Sequence, residues 1–238
     1  MPMPKKDKTL EPQQARSRES LRKLLKAAAE VLGQHGVEGT TIPRIARHAG
    51  LTPGAVYRRF RDKDALLEAV ILGILERQEE RMKTGLTPAV AAQIPLPVFA
   101  EQVIGGMVIS YRMNAPLLRA LRQFVQGRVH TPFWRKATRL ETRSYQRIVD
   151  LFLSHSNEIP HPDPRIAVSL GLMMVVATLF ELVVLPTDLG PMKAFLPKDD
   201  PALKRELTRA FLSYLGVETK SARSADTMGA RRAPRATA

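Results

Sequence analysis

The chain has 238 residues, no cysteine and a formal net charge of +14. That length allows one sizeable core or a small head on a larger body. The lack of thiols excludes disulfides and a cysteine nucleophile, and the polar, basic first twenty residues hold no apolar run of signal-peptide type, so the cytoplasm is the expected compartment. The positive charge is unevenly spread. Residues 1–63 carry 14 Lys and Arg against 6 Asp and Glu, residues 217–238 carry 5 against 2, and the long middle 64–216 carries 18 against 15. Cationic excess gathered at one end points to a polyanion better than a high overall charge does.

In chain order, residues 1–15 are rich in Pro, Lys and Gln and read as a disordered basic arm. A first helix is expected over about 16–34, with Leu21, Leu24, Leu25, Ala28 and Leu32 on one face and Gly36 as its end. Two short helices, 41–48 and 53–60, complete a three-helix head. A fourth helix starts near Asp62 or Lys63 and runs to about Lys83 on the stripe Leu66, Leu67, Val70, Ile71, Ile74 and Leu75. Gly85, Pro88, Pro95 and Pro97 predict a loop over 84–97. Helical periodicity then returns over about 98–112, 115–127, 132–155, 164–185 and 200–216, with Asn114 and Thr131 as candidate N-caps. No stretch shows strand alternation bounded by hairpin turns. Residues 217–238 are small, polar and Arg-rich and read as a disordered tail.

Residues 41–63, TIPRIARHAGLTPGAVYRRFRDK, carry the most information. Thr41 is a good N-cap and Pro43 is tolerated in a first turn, where its missing N–H has no partner anyway. Ile42, Ile45, Ala46 and Ala49 make a small apolar face, and Gly50 is free to take positive φ and stop the helix. Thr52 caps again, Pro53 stands at the first helical position, and Val56 and Phe60 lie four apart on one face. Pro53, Gly54, Ala55, Arg58 and Arg59 are left facing outward, small at the start and cationic towards the end, which suits a major groove. A surface helical hairpin with a basic face is the plain alternative.

Residues 20–70 resemble the N-terminal domain of tetracycline-repressor (TetR) family regulators. The matching positions are Leu24 to Ala29, Gly36, Thr41, Ile45-Ala46, Ala49-Gly50, Gly54, Tyr57, Phe60, Lys63 and Leu66-Leu67. The rest of the chain matches in length and helical layout. The resemblance implies an all-α protein: a helix-turn-helix DNA-binding domain over 16–63, and a helical ligand-binding and dimerisation domain over 64–216. It also implies that Thr41 and Arg44 lie near phosphates and that Thr52, Pro53, Gly54, Ala55, Arg58 and Arg59 sit on the recognition helix, with Tyr57 and Lys63 on phosphates. Arg58 and Arg59 match guanine O6 and N7, and each could equally meet a phosphate. Many family members carry an aromatic residue or His near these positions, so Arg-Arg leaves the preferred DNA sequence open. Lys5, Lys6 and Lys8 could reach a minor groove or belong to a plain tail.

Met107, Tyr111, Phe124, Trp134, Tyr145, Met174 and Phe180 are candidate linings of a ligand pocket, with ordinary core packing as the alternative. Gly105-Gly106 in mid-helix implies close helix contact or room for a ligand. The apolar run Ala167–Leu185 nears membrane length, but Glu181 would be costly in lipid, so a helix buried in a dimer is expected. By the resemblance, helices 164–185 and 200–216 form the homodimer. Arg135, Arg139, Arg143 and Arg147 stand four apart on one ridge, either a solvated face or an anion site. His155, Glu158, His161 and Asp163 are metal-ligand types at a spacing that fits no zinc pattern, so no metal and no cofactor is expected. Nucleophile elbow, phosphate loop and dinucleotide fingerprint are all missing from the sequence, and no enzyme is expected. The combined reading is a ligand-responsive transcriptional regulator, most often a repressor in this family, with double-stranded DNA, itself and a small-molecule effector as partners. A DNA-binding dimer without a ligand and an enzyme with a basic localising head are the rivals.

Overall fold

The computed structural model describes residues 10–185 and 190–217. Among these, every regular element is helical: α1 (Leu10–Gly39), α2 (Ile42–Ala49), α3 (Pro53–Tyr57), α4 (Lys63–Thr84), α5 (Pro88–Ala91), α6 (Leu96–Val125), α7 (Pro132–Leu153), α8 (Pro164–Leu179) and α9 (Asp200–Tyr214). A π turn, Phe180–Val184, prolongs α8, and 3₁₀ turns cover Ser156–Glu158 and Gly190–Phe195. Two compact units result, one within residues 1–80 and 116–142, the other within 81–115 and 143–238.

The first unit is built on α1 to α4. Leu24, Ala28 and Val31 of α1 meet Ile42, Ile45 and Ala46 of α2, Val56 of α3, and Leu66 and Val70 of α4. Each large aliphatic side chain buried this way contributes roughly 1.5–3 kcal/mol. The next residues of α4, Leu67 and Ile71, turn to a different face. There they pack with Leu32 of α1, Ala120 and Phe124 of α6, and Phe133 and Ala137 of α7. The expected boundary at residue 63 therefore does not delimit the compact unit, because α4 is apolar on two faces and binds both layers.

The second unit encloses Phe99, Ile104 and Val108 of α6, Val149 and Phe152 of α7, Val168, Leu172 and Val175 of α8, and Leu207 and Phe211 of α9. The Phe152 ring lies 4.8 Å from Phe99 and 5.1 Å from Phe211, centroid to centroid. Gly171 lets α8 and α9 close: a Cβ there would stand 2.8 Å from the Phe211 ring. At Gly105 a Cβ would stand 3.1 Å from the Lys204 stem, whereas at Gly106 it would meet open space. Of the two readings of this glycine pair, close helix contact holds at Gly105.

Three boundaries differ from expectation. α1 begins at Leu10, so residues 10–15 are helical; Pro12 falls in the first turn, where no N–H is needed, and Gln13, Gln14 and Ala15 favour helix. Residues 1–9, with Lys5, Lys6 and Lys8, and residues 218–238 of the tail lie outside the described residues. α6 continues through Pro116 instead of breaking at Asn114. Asn114 is no N-cap; its Nδ2 donates to the Ser110 carbonyl at 2.8 Å, and α6 carries buried apolar residues on either side of Pro116. Thr131 does cap α7, accepting from the Trp134 N–H at 3.1 Å. The loop 84–97 contains α5, capped by Thr87.

Pro164–Val184 is long and apolar enough to cross a membrane by length and composition, with a mean hydropathy of 2.3. It is neither apolar-packed all round nor open all round. Ala167, Val168, Gly171, Leu172, Val175 and Leu179 face the core, while Ile166, Leu170, Met173 and Met174 on other faces stay exposed.

Candidate nucleic-acid interface

Two capped turns set the geometry of α2 and α3. Thr41 is extended (φ −120, ψ 150) and its Oγ1 accepts from the Arg44 N–H at 3.4 Å. Gly50 closes α2 in the left-handed region (φ 68, ψ 33), its N–H reaching the Ala46 and Arg47 carbonyls, and the Leu51 N–H returns to Ala46 at 2.8 Å. A side chain at Gly50 would be strained by backbone geometry alone. Thr52 restarts the chain: extended again (ψ 150), its Oγ1 accepts from the Ala55 N–H at 3.3 Å, and Pro53 follows in the first turn. Val56 is fully buried and pins α3 to the head.

The opposite face is open. Thr52, Pro53, Gly54, Tyr57, Arg58 and Arg59 are exposed and Ala55 is half-buried. A Cβ at Gly54 would meet nothing within 4 Å, so nothing inside the chain requires a glycine there. Regular helix ends at Tyr57 instead of 60, because the Arg59 N–H shortens its bond to the Val56 carbonyl (2.9 Å), three residues back.

The cations of this face are not equivalent. Arg59 donates to the Ser17 carbonyl at 3.0 Å and to Ser17 Oγ at 3.4 Å. Arg44 donates to the Gly39 carbonyl. Lys63 Nζ donates to the Val37 carbonyl at 3.2 Å. Each takes up a carbonyl on α1, two of them near its end, where helix carbonyls lack intrahelical partners. Ser17 was not singled out in the sequence; 42 positions separate it from Arg59, and no local pattern links them. A second contact equally hidden lies at the start of α4. Arg128 stacks 3.7 Å over the Phe124 ring, donates to the Phe124 carbonyl, and reaches Asp64 Oδ2 at 2.7 Å.

The seven candidate pocket residues are divided between the two units. Phe124 belongs to the first unit, fully buried against Phe133 at 6.0 Å, and Trp134 lies there too, 5.7 Å from His130. Phe124 is thereby corrected from pocket wall to core. Met107, Tyr111 and Tyr145 line the flank of the second core; Tyr111 meets Phe180 edge-on at 5.5 Å, and Met174 is exposed. The Tyr145 hydroxyl donates to the Ser169 carbonyl, and burial pushes its phenol pKa up, so it remains a donor well into the alkaline range. His155 is buried and bonds Glu158 at 2.8 Å through Nδ1; Asp163 caps α8 through the Ile166 N–H at 2.9 Å.

A small helical head with two capped turns and an outward, small-then-cationic helix defines a helix-turn-helix DNA-binding protein. Residues 24–70 match the profile of the bacterial regulatory proteins of the tetR family. The regulator BetI of Cronobacter sakazakii is 26% identical over 147 residues, 61% of this chain and 70% of the relative. A TetR-family regulator from Mesorhizobium loti superposes with a TM-score of 0.66 at 18% identity, covering 84% of this chain and 97% of that one. FadR of Bacillus subtilis, solved in complex with stearoyl-CoA, superposes with a TM-score of 0.53 at 19% identity over 81% and 98%. Residues 24–70 therefore carry a tetR-type helix-turn-helix DNA-binding domain, and the chain shares the fold of TetR-family regulators.

Proposed function

We propose that the protein is a cytoplasmic repressor that binds a palindromic operator as a homodimer and is released by a small molecule. The observation that carries the DNA side is the open face of α3. An exposed helical glycine costs roughly 1 kcal/mol against alanine, and Gly54 has no internal contact that would justify it. Close approach of a partner from outside does justify it. In this reading Thr52, Pro53, Gly54 and Ala55 enter the major groove, Arg58 reads a base edge, and Thr41, Arg44, Tyr57 and Lys63 meet phosphates. Arg59, held by Ser17, acts on the backbone side.

Support for the homodimer comes from α8, whose exposed Ile166, Leu170, Met173 and Met174 stand at helical spacing. Four large apolar groups on one exposed stretch of helix make a patch of the kind that marks an interface, and segments 164–185 and 200–216 would supply it. Two-fold pairing sets the recognition helices roughly 34–36 Å apart, or a multiple of that. Ligand response is supported by the Bacillus subtilis neighbour with its bound acyl thioester. Met107, Tyr111, Tyr145, Met174 and Phe180 remain the candidate contacts in the second unit. Coupling needs only that ligand and operator favour different conformations, by typically 1–3 kcal/mol.

Selection of the full-length protein against random duplex DNA at physiological salt tests the reading. An enriched palindrome is expected. Binding that merely fades with rising salt, with no enriched sequence, would reduce the head to an unspecific polyanion grip.

A further inference from the structure

Within the second unit, the last turn of α4, the turn that follows it and the last two turns of α7 enclose an open cleft of about 330 Å³. Arg81 and Met82 come from α4, Leu86 from the turn, and Arg147, Ile148 and Leu151 from α7. Ile148 and Leu151 are the outer layer of the apolar core, and Leu86 is an exposed apolar rim. The cleft is therefore apolar at its base and cationic at two points on its lining.

Charge in this cleft is one-sided. Its one carboxylate, Asp150, is committed to Arg165 at 3.2 Å. Among the described residues no acid pairs with the guanidinium of Arg81 or of Arg147. Arg81 and Arg147, 66 positions apart in sequence, line the same cleft. A bound anion offsets two like charges, and two guanidinium forks present the donor geometry that carboxylates and phosphates accept.

The geometry points to a binding site for a compact amphipathic anion, with its acidic head between Arg81 and Arg147 and its apolar tail on Leu86, Ile148 and Leu151. The volume lies at the small end of the ~300–1,000 Å³ range of ligand sites and fits a single small acid. The inference rests on the ligand-responsive reading above and places the effector in this cleft instead of against Met107, Tyr111, Tyr145, Met174 and Phe180.

Calorimetric titration of the full-length protein tests the site without DNA. The probes are decanoate, decyltrimethylammonium with the same tail and opposite charge, acetate with the same head and no tail, and decyl phosphate to separate the two kinds of head. One decanoate or decyl phosphate is expected to bind per chain, with saturable binding absent for the other two. Arg81→Gln and Arg147→Gln are each expected to weaken binding at least tenfold, and Leu86→Asp likewise. All three side chains are exposed, so unchanged melting temperatures serve as the folding control. Failure of both amphipathic acids to bind, equal binding by the cationic probe, or undiminished binding in both arginine variants overturns the site. Release of the selected operator is measured separately. If the acid binds as expected but leaves the operator bound, the site stands and the ligand-responsive reading falls. If another compound releases the operator equally from wild type and both variants while the acids stay silent, that reading stands and the cleft falls.

Discussion

Gly54 separates a folding role from a recognition role more cleanly than any other residue of the head. Because no atom of the chain lies within 4 Å of its hypothetical Cβ, Gly54→Leu should leave the melting temperature unchanged or raise it, by up to roughly 1 kcal/mol of stability. The same change should cut operator affinity more than tenfold in a fluorescence-anisotropy titration, since a bulky side chain would stand between α3 and the groove floor. Unchanged affinity would remove α3 from the groove. Arg58 and its neighbours make a second residue-scale contrast. Arg58→Ala should relax preference at one base pair by about 1–3 kcal/mol, whereas Tyr57→Phe and Lys63→Ala should weaken all sequences alike, and Lys63→Ala should also flatten the salt dependence. Uniform losses for all three variants would deny Arg58 a base. The caps Thr41 and Thr52 and the stop at Gly50 were legible in the sequence because each acts within three or four residues. The commitment of Arg59 to Ser17 was not legible, because that partner comes from a different helix.

At the scale of elements, two contacts carry testable weight. The close approach of α8 and α9 depends on Gly171, where a Cβ would stand 2.8 Å from the Phe211 ring. Overpacking of this kind costs typically 1–3 kcal/mol, so Gly171→Val should lower the midpoint of chemical unfolding while leaving the helical signal of the folded protein intact. The start of α4 depends on Arg128, which joins Asp64 to the carbonyl and ring of Phe124. Arg128→Gln should lower thermal stability, by about 1–2 kcal/mol for a lost charge-assisted hydrogen bond, and Arg128→Lys should recover only part of it, because an ammonium cannot both stack and fork. Full rescue by Lys would reduce the contact to simple charge. Element reading from sequence failed where one principle overrode another. Pro116 reads locally as a break, yet α6 is continuous, because packed apolar groups on both sides outweigh one missing donor. The start of α1 was placed too late for the complementary reason: a proline in a first turn is no obstacle.

For the whole molecule, the proposed homodimer is tested on the exposed apolar row of α8. Leu170→Glu combined with Met173→Glu places two charges on that row, at positions exposed in the single chain. Sedimentation should then report a folded monomer, and operator affinity should fall steeply because two half-sites no longer bind as one unit. A dimer that survives both charges would move the interface elsewhere. Of the cationic ridge of α7, Arg147 alone lines the cleft with Arg81.

By itself the sequence determined what short-range chemistry determines: an all-helical chain, a capped turn between two short helices, a basic head and an apolar stripe on α4. Those features depend on residues within one or two turns of each other, where periodicity and capping rules apply directly. The tertiary structure decided which faces became core and which stayed open. It moved Phe124 into the core of the first unit, grouped α4 up to Glu80 and segment 116–142 with the head, split α8 between a packed and an exposed side, and lined one cleft with both Arg81 and Arg147. Each of those outcomes turns on contacts between segments far apart in the chain, and such contacts are set by competition among apolar faces for one interior, which no local pattern encodes.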